Sequence, residues 1–139
     1  MRYVVLSVVA VGGALGALGR WGLALAWPHA PGHFPWATFV TNASGCLLIG
    51  ILMVLITEVW SAHRLIRPFL GVGVLGGYTT FSTYAGEAQQ LLAGSAARTG
   101  LLYLVGTPVA ALATVYLGVT MTRVATRRPR RRHRRKEAS

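Results

Sequence analysis

Four long apolar stretches alternate with short polar ones along the 139-residue chain. A helix needs about 20 mainly apolar residues to cross a bilayer. Residues 3–27, 36–60, 69–92 and 100–121 each meet that length. Pro28-His29-Ala30-Pro31-Gly32-His33 separates the first from the second, and its prolines and glycine read as a loop. Residues 61–68, with His63, Arg64 and Arg67, form the next connection, and residues 93–99 form the last. Trp36 and Trp60 stand near the two ends of the second stretch, where interfacial aromatics are favoured. The pattern predicts an all-α membrane protein with four transmembrane helices per chain. Residues 1–124 make the membrane domain, and residues 125–139 make a basic polar tail with no apolar face, which reads as disordered.

One run breaks the pattern. Gly76-Gly77-Tyr78-Thr79-Thr80-Phe81-Ser82-Thr83-Tyr84 lies in the middle of the third stretch. Polar groups at membrane depth are tolerated where protein or a water-filled path surrounds them, and they mark function by default. Glycine costs about 1 kcal/mol in a helix interior. Gly71, Gly73, Gly76 and Gly77 ahead of a hydroxyl run therefore predict that the third helix is broken at mid-membrane. Such breaks free backbone groups and are how transporters build ion sites. Freed carbonyls suit a hard cation; hydroxyls and amides suit an anion. The plainer reading is an unbroken helix whose hydroxyls bond back to the carbonyl four residues earlier. Phe81 and Tyr84 share a face if the helix resumes there, and their ring edges carry partial positive charge.

The other stretches carry sparser polar groups. In the first, Gly12, Gly13, Gly16 and Gly19 are spaced for close helix–helix approach, and Arg20 follows directly. Arg20 either snorkels to the interface or supplies buried positive potential. In the second, Thr38, Asn42 and Gly45 share a face beside Thr41 and Ser44. They form interhelical hydrogen bonds or line an anion path. In the fourth, Tyr103 and Thr107 point the same way, and Pro108 removes a backbone donor and is expected to kink the helix. Glu87 reads as a proton site or as a structural partner near a helix end.

Composition agrees with a membrane protein: 53% of residues are hydrophobic, mean hydropathy is +0.51, and only 12% are charged. Soluble chains carry about 25%. Nine of the fourteen Lys and Arg residues lie between Arg123 and Lys136. With four spans, the side holding both termini and the middle loop carries twelve basic residues, and the other carries only Arg98. The positive-inside rule then makes both termini cytoplasmic, in a multi-pass cell-membrane protein. The tail's basic charge suits orientation and contact with anionic lipid. It lacks the interleaved aromatics that nucleic-acid binding would favour. Cys46 is the sole cysteine, so it reads as a small apolar packer. No nucleophile triad, metal-ligand cluster or phosphate loop is present, which argues against an enzyme.

Gly19-Arg20-Trp21 in the first stretch, Thr38-x3-Asn42-x2-Gly45 in the second and the third-stretch run Gly76–Tyr84 together resemble the Fluc (CrcB) fluoride channels. The resemblance covers about residues 3–122. It implies fluoride-selective passive export, an antiparallel (inverted) dimer with two pores, and a structural Na+ at the dimer interface that is not transported. Position by position, it implies a fluoride pathway through Asn42, Phe81, Ser82, Thr83, Tyr84, Tyr103 and Thr107. It places Arg20 near the aqueous mouth, and assigns the main-chain carbonyls of Gly76 and Thr79 to Na+. Fluoride is small and strongly hydrated, so its path must replace water with donors, and Asn, Ser and Thr can donate.

This chain departs from the family pattern in two respects. The family usually has phenylalanine at the place of Tyr84. The twelve-to-one loop charge is also too lopsided for a chain that must insert both ways to make its own antiparallel partner. Some family members pair two different, oppositely oriented chains, so a heterodimer is expected over a homodimer. Two other readings compete with a conducting subunit. A non-conducting scaffold would only support a second family member. A small proton-coupled multidrug exporter is also four short spans, but it depends on a carboxylate in the first span, where this chain has no Asp or Glu.

Overall fold

The computed structural model describes residues 2–60 and 64–126. Residues 127–139 of the tail and His63 of the middle loop lie outside them, and α5 takes in the tail's first two residues. Within them every element is helical. Helix α1 spans Arg2–Ala26 and α2 spans Trp36–Val54, continuing through a π-helical turn at Leu55–Val59. A second π-helical stretch, Arg67–Val74, runs straight into α3 (Leu75–Tyr78). Two extended residues follow, and α4 (Phe81–Ala93) and α5 (Ala97–Thr126) complete the chain.

Among the described residues, three helical runs are long and apolar enough to cross a membrane: Arg2–Ala26, Trp36–Val59 and Ala97–Thr126. The third predicted stretch is helical over nearly its whole length but is divided at Thr79–Thr80, so neither piece has the length of a span. Pro108, expected to kink the last helix, lies inside α5, which continues to Thr126. The interior is sparse and partly polar, whereas Leu15, Leu18, Trp21, Leu101, Val105, Leu112 and Tyr116 face outward. Such an arrangement suits lipid as the solvent, since a bilayer gives apolar side chains no reason to hide.

Small residues decide how the helices meet. The π-helical stretch and α3 lie along α1. A Cβ on Gly12 would come within 2.6 Å of the Phe69 carbonyl oxygen, and one on Gly16 would overlap the Val74 carbonyl. Helix α2 crosses α5 in the same manner, with Gly50 against the Val115 carbonyl and Gly118 against the Leu47 carbonyl. Without a hydrophobic drive between helices in lipid, this close backbone approach is what gains dispersion energy. Helix α4 packs on α5, and Tyr84, Ala88, Leu91 and Tyr103 form the buried cluster between them, with Phe34 and Phe39 against it. The divided segment thus has one half fastened to α1 and the other half to α5.

A candidate ion pathway at a helix interruption

The interruption is built by local backbone chemistry. Tyr78 closes α3; Thr79 (φ −75°, ψ 156°) and Thr80 (φ −147°, ψ 122°) are extended; Phe81 opens α4. Thr80 is the N-cap of α4, and its Oγ1 accepts from the Thr83 N–H at 3.2 Å. A threonine cap satisfies one of the amides that a helix start leaves orphaned. The Thr80 N–H, which an unbroken helix would give to Gly76, goes instead to Asn42 Oδ1 at 2.8 Å. The Thr83 N–H, which would serve Thr79, goes to the Thr80 cap. The carbonyls of Gly76 and Thr79 therefore both lose their helical donors. Oxygens released at a helix C-terminus, where the dipole is negative, are the donor set that suits a hard monovalent cation.

Asn42 clamps this interruption. Besides accepting from the Thr80 N–H, its Nδ2 donates to the Thr80 carbonyl oxygen at 2.9 Å. The side-chain amide thus imitates a paired strand for one extended residue. Asn42 is buried on α2 beside Thr38 and Thr41, and one of its two amide protons remains outside the clamp. Arg20 reaches the same place from α1, donating from Nε to the Gly77 carbonyl at 3.3 Å. It is half-buried and bonds to the backbone, so it does not snorkel freely, and it pairs with no carboxylate among the described residues.

The hydroxyl run divides by position. Thr79 follows the plainer reading, with Oγ1 donating back to the Leu75 carbonyl at 2.9 Å. Thr80 donates to Thr83 Oγ1 at 3.0 Å and lies 3.4 Å from Ser82 Oγ. Phe81, Ser82 and Thr83 face outward from the chain, and Phe81 is 79% exposed. Tyr84 is buried behind them. Ring centroids run from Phe81 to Tyr84 (5.7 Å) and from Tyr84 to Tyr103 (5.3 Å), so the aromatic face expected of α4 continues onto α5.

A second polar group lies one turn further along. Glu87 accepts from Thr38 Oγ1 at 2.9 Å and from the Tyr103 hydroxyl at 2.7 Å. This ties α2, α4 and α5 together through one carboxyl group. Glu87→Gln keeps the shape but replaces one acceptor oxygen with a donor, leaving either Thr38 or Tyr103 opposite an N–H. It is expected to destabilise the folded chain by about 1–3 kcal/mol, measured by unfolding in detergent. Thr107, four residues after Tyr103, is also buried, and its Oγ1 has no hydrogen-bond partner among the described residues.

The structure therefore joins Asn42 and Arg20 to the interruption, and joins Phe81, Tyr84 and Tyr103 by their rings. Among the described residues, the Ser82 and Thr83 side chains hydrogen-bond only to Thr80, and no such bond links them to Tyr103 or Thr107. Thr80 is the helix cap as well as one hydroxyl of the run, and Glu87 is the structural partner that one of its two readings gives. The signal for Thr80 was available, because a threonine directly before a resumed helix is a strong N-cap. The place of Glu87 depends on contacts 49 and 16 residues away and had no local signal.

An all-helical membrane chain with a divided helix, backbone carbonyls released at the division and buried hydroxyls beside it defines a class: membrane proteins that handle small ions. Residues 7–119 match the family described as CrcB-like protein, Camphor Resistance (CrcB), and the chain belongs to that family. It is 55% identical over 127 residues to a fluoride-specific ion channel FluC 2 of Nocardia farcinica, covering 91% of each chain. It is 55% identical to a fluoride-specific ion channel FluC 1 of Streptomyces coelicolor, over 86% of this chain and 77% of that one. A fluoride-specific ion channel FluC 2 of Thermobifida fusca is 46% identical, over 83% and 85%.

Proposed function

We propose that this chain is a subunit of a fluoride-selective channel that lowers cytoplasmic fluoride by passive export. The relatives' names supply the ion. The observation in this chain that carries the reading is the buried, unpartnered hydroxyl of Thr107, one turn from Tyr103. A threonine in a helix ordinarily bonds back to the preceding turn. A buried donor left unsatisfied costs about 1–3 kcal/mol, so a small anion is its natural partner. Asn42's second amide proton, the Ser82 and Thr83 hydroxyls and the ring edges of Phe81 and Tyr84 offer further weak donors. None is a fixed positive charge, and weak serial sites let an ion leave as readily as it arrives.

The outward-facing Phe81, Ser82 and Thr83 and the exposed Gly76 support completion of the pathway by a second subunit in antiparallel orientation. Gly76 and Thr79 of each chain would hold the structural Na+ there. The bound cation would supply positive potential and tie the two interruptions together. Both termini face the cytoplasm, and the partner is an oppositely oriented family member, as the loop charge favours. The experiment is fluoride efflux from liposomes with chloride as control, for the chain alone and together with such a partner. Efflux of fluoride only from the mixed vesicles supports the paired reading, and conduction by the chain alone in both orientations rejects it. Thr107→Val, which removes the hydroxyl at constant shape, is expected to slow fluoride about tenfold, equivalent to one lost hydrogen bond to an ion at ~1.5 kcal/mol. An unchanged rate would place Thr107 outside the path.

A further inference from the structure

Pro108 lies inside α5, and proline has no N–H to give the carbonyl four residues earlier, that of Leu104. Within a bilayer no water is at hand to satisfy that oxygen. The Tyr84 hydroxyl fills the gap, donating to the Leu104 carbonyl oxygen at 2.6 Å from the neighbouring helix. Tyr84 is 6% exposed, and with Leu104 and Pro108 it lines one apolar groove between α4 and α5. We propose that Tyr84 and Pro108 are a matched pair: the tyrosine hydroxyl substitutes for the amide that the proline removes, and thereby fixes the pathway rings. This inference rests on the channel reading for its functional consequence, although the bond itself does not.

The pairing changes what Tyr84 does. A phenol has one proton, and here it is committed to a backbone carbonyl. The hydroxyl therefore offers no donor to a passing anion, and only the ring faces the pathway. With its hydroxyl anchored, the ring cannot swing about its own helix. It holds station between Phe81 at 5.7 Å and Tyr103 at 5.3 Å. Tyr84 is thus a positioning residue acting through two other rings.

The test is a double-mutant cycle on the assembled channel with Tyr84→Phe, Pro108→Ala and both together. Alanine at 108 restores an N–H for Leu104, so the hydroxyl should become redundant. Tyr84→Phe alone is expected to lower the folded-to-unfolded ratio in detergent about fivefold. In the Pro108→Ala background the same change should cost less than twofold. Read as fluoride efflux, Tyr84→Phe alone should slow the ion several-fold with the chloride leak unmoved, and Pro108→Ala should rescue it. Equal effects of Tyr84→Phe on stability in both backgrounds overturn the pairing. A coupled stability cycle in vesicles that pass no fluoride keeps the pairing and removes the channel reading. Coupled stability with additive efflux overturns the positioning role. Should Pro108→Ala fail to fold, infrared spectra with carbonyl-labelled leucine read the bond directly. One band moves to higher frequency in Tyr84→Phe if the bond exists, and no movement overturns it.

Discussion

Asn42→Ala is expected to slow fluoride efflux about 100-fold, the kinetic equivalent of ~3 kcal/mol. The expectation follows from the two bonds that this side chain makes to one residue. Its Oδ1 holds the Thr80 N–H and its Nδ2 holds the Thr80 carbonyl. Removing it orphans a donor and an acceptor at the half-buried extended link between α3 and α4, where each unsatisfied group costs about 1–3 kcal/mol. The Thr80 N–H would then be free to return to Gly76, favouring a continuous helix and closing the released carbonyls. Asn42→Asp separates the two roles. A carboxylate still accepts from the Thr80 N–H but cannot donate to the Thr80 carbonyl, and it places negative charge on the anion's path. It should fail as severely as alanine. Liposome efflux alongside detergent unfolding checks both variants. Wild-type efflux from Asn42→Ala would show that neither the clamp nor the remaining amide proton matters to conduction.

The sequence made the helical architecture legible because apolar length is a strong signal and the loops carry Pro, Gly and Arg. The position of the interruption was also readable, since two glycines followed by hydroxyl residues have low helical preference at that point. What was not readable was how each group is used. Asn42 reads as an interhelical hydrogen-bonding group or as part of an anion path, and the structure shows two of its groups clamping Thr80. Arg20 reads as a snorkelling side chain or a buried charge, and it donates to the Gly77 carbonyl. The resemblance implies a pathway position for Tyr84, and its hydroxyl is bonded to the Leu104 carbonyl. In each case the deciding partner is a backbone group on another segment. Residue type announces that a donor exists, and only the packing of the helices decides where it points. Thr79, whose hydroxyl bonds back within its own turn, and Thr80, whose hydroxyl caps the helix that follows it, are the polar side chains of the run whose partners local geometry could supply.

Gly16→Ala is expected to abolish assembled protein, whereas Gly22→Ala in the same helix should be tolerated. A Cβ at Gly16 would overlap the Val74 carbonyl and lie 2.7 Å from the Tyr78 nitrogen, all of them backbone atoms that no rotamer change can move. A Cβ at Gly22 meets nothing within 4 Å. Alanine is better than glycine in a helix interior by about 1 kcal/mol, so on propensity alone both changes would stabilise. Overpacking costs about 1–3 kcal/mol even where side chains can adjust. Here relief requires α1 to separate from the Arg67–Val74 stretch along their whole contact. The consequence reaches the site, because Gly77 lies against the Gly13 carbonyl on the same seam and Arg20 bonds to the Gly77 carbonyl from it. Any folded Gly16→Ala protein should therefore have its interruption displaced and its fluoride efflux reduced together. Size-exclusion chromatography and liposome efflux measure the two effects. A Gly16→Ala channel that is monodisperse and conducts normally would mean that the two segments do not meet at this seam.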